Sequence, residues 1–168
     1  MSGSRGKVWT RDDLAREIAR CRAAERGLRV VLANGCFDVL HVGHVRYLED
    51  ARSRGDVLVV ALNTDESVRE LKGAGRPLIP LRERAEIVAA LRSVDYVTAF
   101  GERDLGLTLR ALRPAVHAKG TDYTVENVPE RAIDVELGIE IAICGDAKER
   151  SSSVMIERMS ARGRSPSQ

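Results

Sequence analysis

Short apolar runs alternate along the chain with longer segments whose apolar residues recur at helical spacing. The runs predict buried parallel strands, because both faces of such strands are covered; they lie at 29–33, 56–62, 96–100, 116–119 and 139–144. The amphipathic segments predict helices at 11–26, 43–54, 63–71, 80–92, 105–112, 129–137 and 151–159. The alternation predicts an α/β fold, a single Rossmann-like, doubly wound domain with a five-stranded parallel sheet.

Capping and turn residues support these boundaries. Thr10 can accept a hydrogen bond at the start of the first helix, and Gly27 can end it. Pro80 fits the first turn of a helix, and Gly138 fits the end of another. We expect a helical N-terminal extension at 1–28, one domain at 29–160 and a disordered polar tail at 161–168.

The composition limits the classes of protein to which the chain can belong. Of its 168 residues, 43% are hydrophobic and 31% are charged, which is typical of a soluble globular domain. A net charge of +2 and an aromatic content of 4% argue against a nucleic-acid partner. No apolar run approaches the roughly 20 residues of a membrane helix, and no apolar signal segment follows Met1. Three widely spaced cysteines form no disulfide or zinc pattern, so we expect a cytoplasmic protein without a membrane partner.

The segment NGCFDVLHVGH at 34–44 connects the first predicted strand to the next helix. Its glycines let the backbone approach a ligand closely. The helix that begins near Gly43 directs unpaired N–H groups and a partial positive charge toward the strand ends, which favours phosphate binding. His41 and His44, three residues apart at the helix entry, are expected to face the same side. Such a pair can stabilise the charge that develops on a phosphoryl group during transfer.

This segment resembles the signature of the HxGH nucleotidylyltransferases, the cytidylyltransferase-like superfamily. The match consists of HVGH at 41–44 and the preceding GCFD at 35–38. Other segments similar to those of the family are NTD at 63–65, KG and RP between 72 and 77, ER at 83–84, KGTDY at 119–123 and the stretch 145–153. The resemblance covers about residues 29–160 and implies a nucleotidyltransferase enzyme.

The resemblance also implies roles for individual side chains. Catalysis is expected from His41, His44 and Lys72. Nucleotide binding is expected from Gly35, Cys36, Phe37, Gly43, Lys119, Gly120, Asp122, Ser151, Ser152 and Ser153. Substrate binding is expected from Asp38, Asn63, Arg76, Arg84 and Arg150. His117 lies inside a predicted strand and is expected to be structural.

Within the superfamily, the chain is most similar to the adenylyltransferases that make ADP-heptose. This likeness implies transfer of AMP from ATP to D-glycero-β-D-manno-heptose 1-phosphate, which serves lipopolysaccharide or surface-glycan precursor synthesis, with release of pyrophosphate. It also implies a homodimer, and Mg²⁺ held mainly by the substrate phosphates with no protein ligand. The stretch DAKERSSS at 146–153 departs from the RTxGxST run of related cytidylyltransferases, which leaves open whether Lys148 or Arg150 supplies a cation.

Three other functions remain as alternatives to this reading. A cytidylyltransferase that acts on glycerol 3-phosphate or another polyol phosphate would share the motif and the fold. A non-catalytic nucleotide-binding regulatory module would share the fold but release no pyrophosphate. A dinucleotide-dependent oxidoreductase ranks last, because no GxGxxG follows the first strand.

Overall fold

The computed structural model describes residues 4–146 and contains one sheet of five parallel strands. The strands are β1 (Val30–Gly35), β2 (Val57–Asn63), β3 (Tyr96–Phe100), β4 (Val116–Gly120) and β5 (Glu140–Cys144). Their order across the sheet is β3-β2-β1-β4-β5. The chain adds β2 and β3 on one side of β1, and then β4 and β5 on its other side, all parallel. A doubly wound sheet has this order, and the predicted fold class is confirmed.

Six α-helices connect or precede the strands. They are α1 (Arg11–Ala24), α2 (Val42–Ser53), α3 (Asp65–Lys72), α4 (Leu81–Ala89), α5 (Gly106–Leu112) and α6 (Arg131–Leu137), and a 3₁₀ turn at Ser4–Lys7 comes before them. Thr10 and Thr64 cap α1 and α3 by accepting from the backbone N–H of Asp13 and Ser67. Gly138 follows α6 with a left-handed φ of 69°, which suits glycine.

Alternate residues of the central strand pack on opposite faces of the sheet. Val31 and Ala33 point into one apolar cluster, which also contains buried residues of α2 and α4. Val30 and Leu32 point into the other, together with buried residues of α1 and α5. Full burial of a valine or leucine side chain contributes roughly 1.5–3 kcal/mol to stability. The near-continuous apolar runs in the sequence therefore reflect strands that are covered on both faces.

Most predicted boundaries differ from the observed ones by one to three residues, and three of these differences bear on the site and its supports. Asn34 and Gly35 continue β1 and are not part of the following turn, because they remain in register with β2. Lys72 is the last residue of α3, so the glycine loop begins one residue later. Helix α4 ends at Ala89, where the backbone N–H groups of the next two residues bond in tighter i→i−3 geometry.

The predicted last helix at 151–159 and the predicted tail at 161–168 lie outside the described residues. The division of the chain into an extension, a domain and a tail stays a prediction. None of the helices at residues 4–146 combines the length and the apolar character that crossing a membrane requires.

Candidate active site

A cavity of about 910 Å³ opens at the carboxyl ends of the strands. All five strands reach it, through Asn34 and Gly35 of β1, Asn63 of β2, Phe100 of β3, Lys119 and Gly120 of β4, and Cys144 of β5. The cavity includes the ends of β1 and β4, the two parallel neighbours between which the strand order reverses. Ligands of open α/β sheets bind at this kind of position, so the cavity is the candidate site.

The N-terminus of α2 forms one wall of this cavity. His41 is the N-cap residue, and His44 lies in the first turn, with the two ring centroids 3.9 Å apart. The backbone N–H of His41 donates to Nδ1 of His44 at 3.3 Å, which fixes the second ring against the first. A helix N-terminus carries a partial positive charge, and the two imidazoles add donors beside it. This wall of the cavity is therefore suited to an anion.

Tight packing holds the two histidines in place. Phe37, with a left-handed φ of 46°, turns its ring under His44 at a centroid distance of 5.1 Å. A left-handed backbone at a non-glycine residue costs about 1–3 kcal/mol and persists only where the surroundings impose it. At Gly43 a Cβ atom would lie 3.0 Å from the His41 ring. The motif therefore needs glycine at this position to let the imidazole lie over the helix start.

Cationic side chains line other parts of the cavity. Lys119 and Arg46 are paired with carboxylates, at 3.3 Å from Glu130 and 2.8 Å from Asp146. Lys72 reaches the cavity from the end of α3, and Arg103 reaches it from the loop after β3. Within residues 6–146 these last two cations have no ion-pair partner. The carboxylates of Asp104 and Asp122 also line the cavity, so the part that suits phosphate is the one formed by Lys72, Arg103 and the N-terminus of α2.

A buried polar network lies beneath the β1 and β4 end of the cavity. His117 and Asp134 are both fully buried, and His117 Nδ1 lies 2.9 Å from Asp134 Oδ2. His117 Nε2 lies 3.3 Å from Asn34 Oδ1, to which the Lys119 ammonium also donates, at 3.2 Å. Lys119 further contacts Glu130, whose carboxylate is buried beside it. The expected structural role of His117 agrees with these contacts.

Asp38 ties the motif to the loop before α4. Its Oδ1 accepts hydrogen bonds from the backbone N–H groups of Leu78 and Ile79, at 2.7 and 3.0 Å. Arg76 forms an ion pair with its Oδ2. Asp38 is almost fully buried, and neither it nor Arg76 lines the cavity. Contacts within the protein thus already engage the side chains of Asp38 and Arg76, which the sequence analysis assigned to substrate binding.

Arg84 is a buried clamp below the cavity floor. Its guanidinium donates to the carbonyl oxygens of Cys36, Asn63 and Ile79, at 2.6, 2.9 and 2.9 Å. The same group pairs with the carboxylate of Asp65 at 2.6 Å. The side chain has no exposed surface and does not line the cavity, so it is placed to fix the loop ends and not to contact a ligand.

The Cys36 thiol lies in the cavity wall, 3.7 Å from Asn63 Oδ1. Burial raises the pKa of this thiol, and the nearby cations Lys72 and Arg84 only partly oppose the rise. The neutral thiol is therefore the dominant form near pH 7, and Cys36 is not an activated nucleophile.

The structure brings most of the predicted site residues together. Those that line the cavity are Gly35, Cys36, Phe37, His41, Gly43, His44, Asn63, Lys72, Lys119, Gly120 and Asp122. Asp38, Arg76 and Arg84 lie behind its wall, while Arg150, Ser151, Ser152 and Ser153, as well as Lys148, fall outside the described residues.

Several cavity residues were missed by the sequence reasoning, among them Asn34, Arg46, Arg103 and Glu130. Asn34 and Arg103 follow from the rule that ligands bind beyond the carboxyl ends of parallel strands, since both lie at or just after such ends. Arg46 lies in α2, two residues after His44, so its place beside the motif was a signal that the sequence reasoning did not use. Glu130 carries no comparable local signal, because it reaches the cavity beside Lys119 of β4.

Comparisons with known proteins show the family to which the chain belongs. A family model described as cytidylyltransferase-like matches residues 32–158. Bifunctional protein HldE of Geobacter sulfurreducens is 48% identical over 153 residues, which are 91% of this chain and 31% of that protein. The protein of the same name from Citrifermentans bemidjiense is 47% identical over 156 residues, which are 93% of this chain and 32% of that protein. This chain thus spans about a third of the length of these relatives.

A solved structure provides an independent comparison of the fold. The lipopolysaccharide core biosynthesis protein from Thermoplasma volcanium GSS1 has a TM-score of 0.63 and 25% sequence identity, covering 73% of this chain and 100% of that one. The family match includes the five strands, apart from the start of β1, and the whole HVGH segment. The chain therefore belongs to the cytidylyltransferase-like family and is a nucleotidyltransferase enzyme that acts on a nucleoside triphosphate.

Proposed function

We propose that this enzyme transfers AMP from ATP to D-glycero-β-D-manno-heptose 1-phosphate and releases pyrophosphate. The observation that carries the proposal is the stacked pair of His41 and His44 at the N-terminus of α2, within a cavity that all five strands reach. This arrangement collects cations and N–H donors where a triphosphate would lie.

The choice of ATP and heptose 1-phosphate rests on similarity. Identity of 47–48% over more than nine tenths of the chain links it to the bifunctional HldE proteins. The solved neighbour is named as a lipopolysaccharide core biosynthesis protein, which supports a place in the synthesis of surface glycans. Because the chain covers about a third of its bifunctional relatives, we propose that it supplies one of their activities.

The proposed chemistry is a direct phosphoryl-group transfer. A phosphate oxygen of the sugar attacks the α-phosphorus of ATP, and the bond between that phosphorus and the bridging oxygen of the β-phosphate breaks. The sugar phosphate is already ionised at neutral pH, so it needs no general base. The enzyme contributes orientation and preorganised charge. His41 and His44 would hold the phosphates, and Lys72 at the end of α3 would contact them from the opposite rim.

The buried residues behind the wall would support this chemistry indirectly. Asp38 and Arg84 hold the 36–38 turn and the loop before α4 in fixed positions. In this proposal they act as positioning residues, and the predicted ligands Gly35, Phe37 and Asn63 depend on them.

We propose that a Mg²⁺ ion enters this site together with the substrate phosphates. In the part of the chain between residues 4 and 146, no three His, Cys, Asp or Glu side chains cluster so that they could hold a metal ion. Mg²⁺ is commonly held by substrate phosphates and water with few protein ligands. We propose that phosphate oxygens and water hold the ion here and that no side chain coordinates it. Such an ion would neutralise charge on the departing pyrophosphate.

The proposal includes a cytoplasmic location, because the sugar phosphate and ATP are small polar molecules of the cytoplasm. It also includes a homodimer, which rests on the family resemblance alone. Sedimentation equilibrium of the purified chain tests the assembly, and a single species of 18.5 kDa would contradict the dimer.

A substrate panel tests the reaction. Pyrophosphate release is measured with Mg²⁺ for ATP, CTP, GTP and UTP, each with heptose 1-phosphate, glycerol 3-phosphate or no acceptor. We expect release only with ATP and heptose 1-phosphate. Release with CTP and glycerol 3-phosphate would replace both substrates and keep the mechanism. Nucleotide binding without release from any pair would favour a regulatory module.

A further inference from the structure

The side-chain amide of Asn34 has a fixed polarity at the end of β1. Lys119 Nζ lies 3.2 Å from its Oδ1 atom, and a lysine ammonium can only donate hydrogen bonds. The opposite orientation of the amide would direct its NH₂ group at that ammonium, so the oxygen must face Lys119. His117 Nε2, at 3.3 Å from the same oxygen, lies on the same side.

Glu130 holds the Lys119 ammonium beside this oxygen, because its buried carboxylate accepts from Lys119 Nζ at 3.3 Å. The fully buried pair of His117 and Asp134 packs on the same side, with the carboxylate 2.9 and 3.2 Å from Nδ1 of the imidazole. Rotation of the imidazole would leave that buried carboxylate unsatisfied, so the ring is a fixed wall beside Asn34.

Because the Asn34 oxygen already accepts from Lys119, the NH₂ group is the part of Asn34 that remains to contact a ligand. Asn34 lines the cavity beside Gly35 and on the same wall as Lys119. The positive end of the amide dipole is then the end available to the cavity. Phosphate oxygens accept hydrogen bonds only and carry negative charge, so they are the complementary ligand atoms.

Asn63 at the end of the neighbouring strand has the opposite arrangement. Its Nδ2 donates to Ser67 Oγ at 3.0 Å, while its Oδ1 faces the thiol of Cys36 at 3.7 Å. Two asparagines at equivalent strand ends thus differ in the polar group that the protein has already used.

We propose that Asn34 is a binding residue that donates a hydrogen bond to a phosphate oxygen of the bound substrate, and that Lys119, held by Glu130, fixes its amide for this purpose. The proposal rests on the proposed function for its ligand, a nucleoside triphosphate or a sugar phosphate. It assigns a role to a residue that the sequence motif does not specify.

The test compares Asn34→Asp with Leu71→Asp by calorimetric titration of ATP, CTP and heptose 1-phosphate. Asn34→Asp keeps an acceptor for Lys119, removes the NH₂ donor and adds one negative charge. We expect it to weaken binding of at least one of these phosphate ligands about tenfold or more. Leu71→Asp adds the same charge at an exposed position of the same cavity to which no ligand contact is assigned, and it is expected to have a clearly smaller effect. Equal losses in both variants, or unchanged affinities in Asn34→Asp, would overturn the assignment.

A measurement on the wild-type enzyme covers the case in which a variant does not fold. The side-chain NH₂ resonances of Asn34 in ¹⁵N-labelled protein are identified by their absence from the Asn34→Asp spectrum or from a sample with unlabelled asparagine. We expect them to move when a phosphate ligand binds, and unmoved resonances at saturation would contradict the proposal. If CTP replaces ATP in both experiments, the proposed nucleotide is wrong while the role of Asn34 stands.

Discussion

The imidazole rings of His41 and His44 stack at a centroid distance of 3.9 Å where α2 begins. The backbone N–H of His41 donates to Nδ1 of His44, so the position of the second ring depends on the cap that the first residue forms. This geometry makes the pair one unit that faces the cavity. Loss of either ring should therefore impair the same step.

We expect His44→Ala to lower kcat for pyrophosphate release by roughly 10²–10³, because it removes a preorganised donor to the transferred group. Steady-state kinetics with ATP and heptose 1-phosphate measure the effect. Thermal unfolding of the variant shows whether the fold is intact. Turnover close to that of the wild type, in a folded variant, would remove the histidine pair from the mechanism.

Arg84→Lys tests the clamp below the cavity. Lysine cannot reach three carbonyl oxygens and a carboxylate at once, so we expect a loss of about 1–3 kcal/mol in the free energy of unfolding. We also expect weaker ATP binding, since the Cys36 and Asn63 carbonyls would shift. The exposed neighbour Arg82 offers the matched change Arg82→Lys, which should alter stability by less than about 0.5 kcal/mol. Equal effects of the two substitutions in urea denaturation would contradict the clamp.

Asp134→Ala tests the buried network. It leaves the His117 imidazole without its partner in a site that water does not reach, and we expect it to cost at least about 1–3 kcal/mol of unfolding free energy. Glu136→Ala in the same helix removes an exposed ion pair with Arg110 and should cost clearly less, because water and salt screen that pair. Denaturant titration of both variants compares them directly. A cost for Asp134→Ala no larger than that for Glu136→Ala would show that the network is not a source of stability.

The Cys36 thiol provides a test through its reactivity. Because burial raises its pKa, the reactive thiolate is scarce near pH 7 and increases only as the pH rises above the usual thiol range. We expect slower alkylation by iodoacetamide than for glutathione at neutral pH, and a further decrease when ATP is present. Peptide mass spectrometry follows the modification of this residue. Rapid alkylation at pH 7, or alkylation that saturating ATP does not change, would contradict the described environment.

The sequence predicted the strands, the helices and the HVGH motif because local patterns encode them. Apolar runs mark strands that are covered on both faces, and the motif occupies consecutive residues at the end of β1. The roles of Asp38 and Arg84 were less predictable. Their partners Ile79 and Cys36 are 41 and 48 residues away, and nothing in the local sequence tells a buried clamp from a ligand-binding arginine.

The buried network shows the same limit. Asn34 and His117 are 83 residues apart in sequence and meet only because β1 and β4 are neighbours in the sheet. A strand histidine is predicted as structural from its apolar surroundings. Its contact with Asn34 depends on the register of β1 and β4, which the sequence pattern does not give.

The most direct test of the account is the product of the reaction with ATP, Mg²⁺ and D-glycero-β-D-manno-heptose 1-phosphate, identified by mass spectrometry beside a pyrophosphate assay. The account predicts ADP-heptose and pyrophosphate in equal amounts, and neither of them when the sugar phosphate is omitted. Folded protein that binds ATP and yields no ADP-heptose would contradict it.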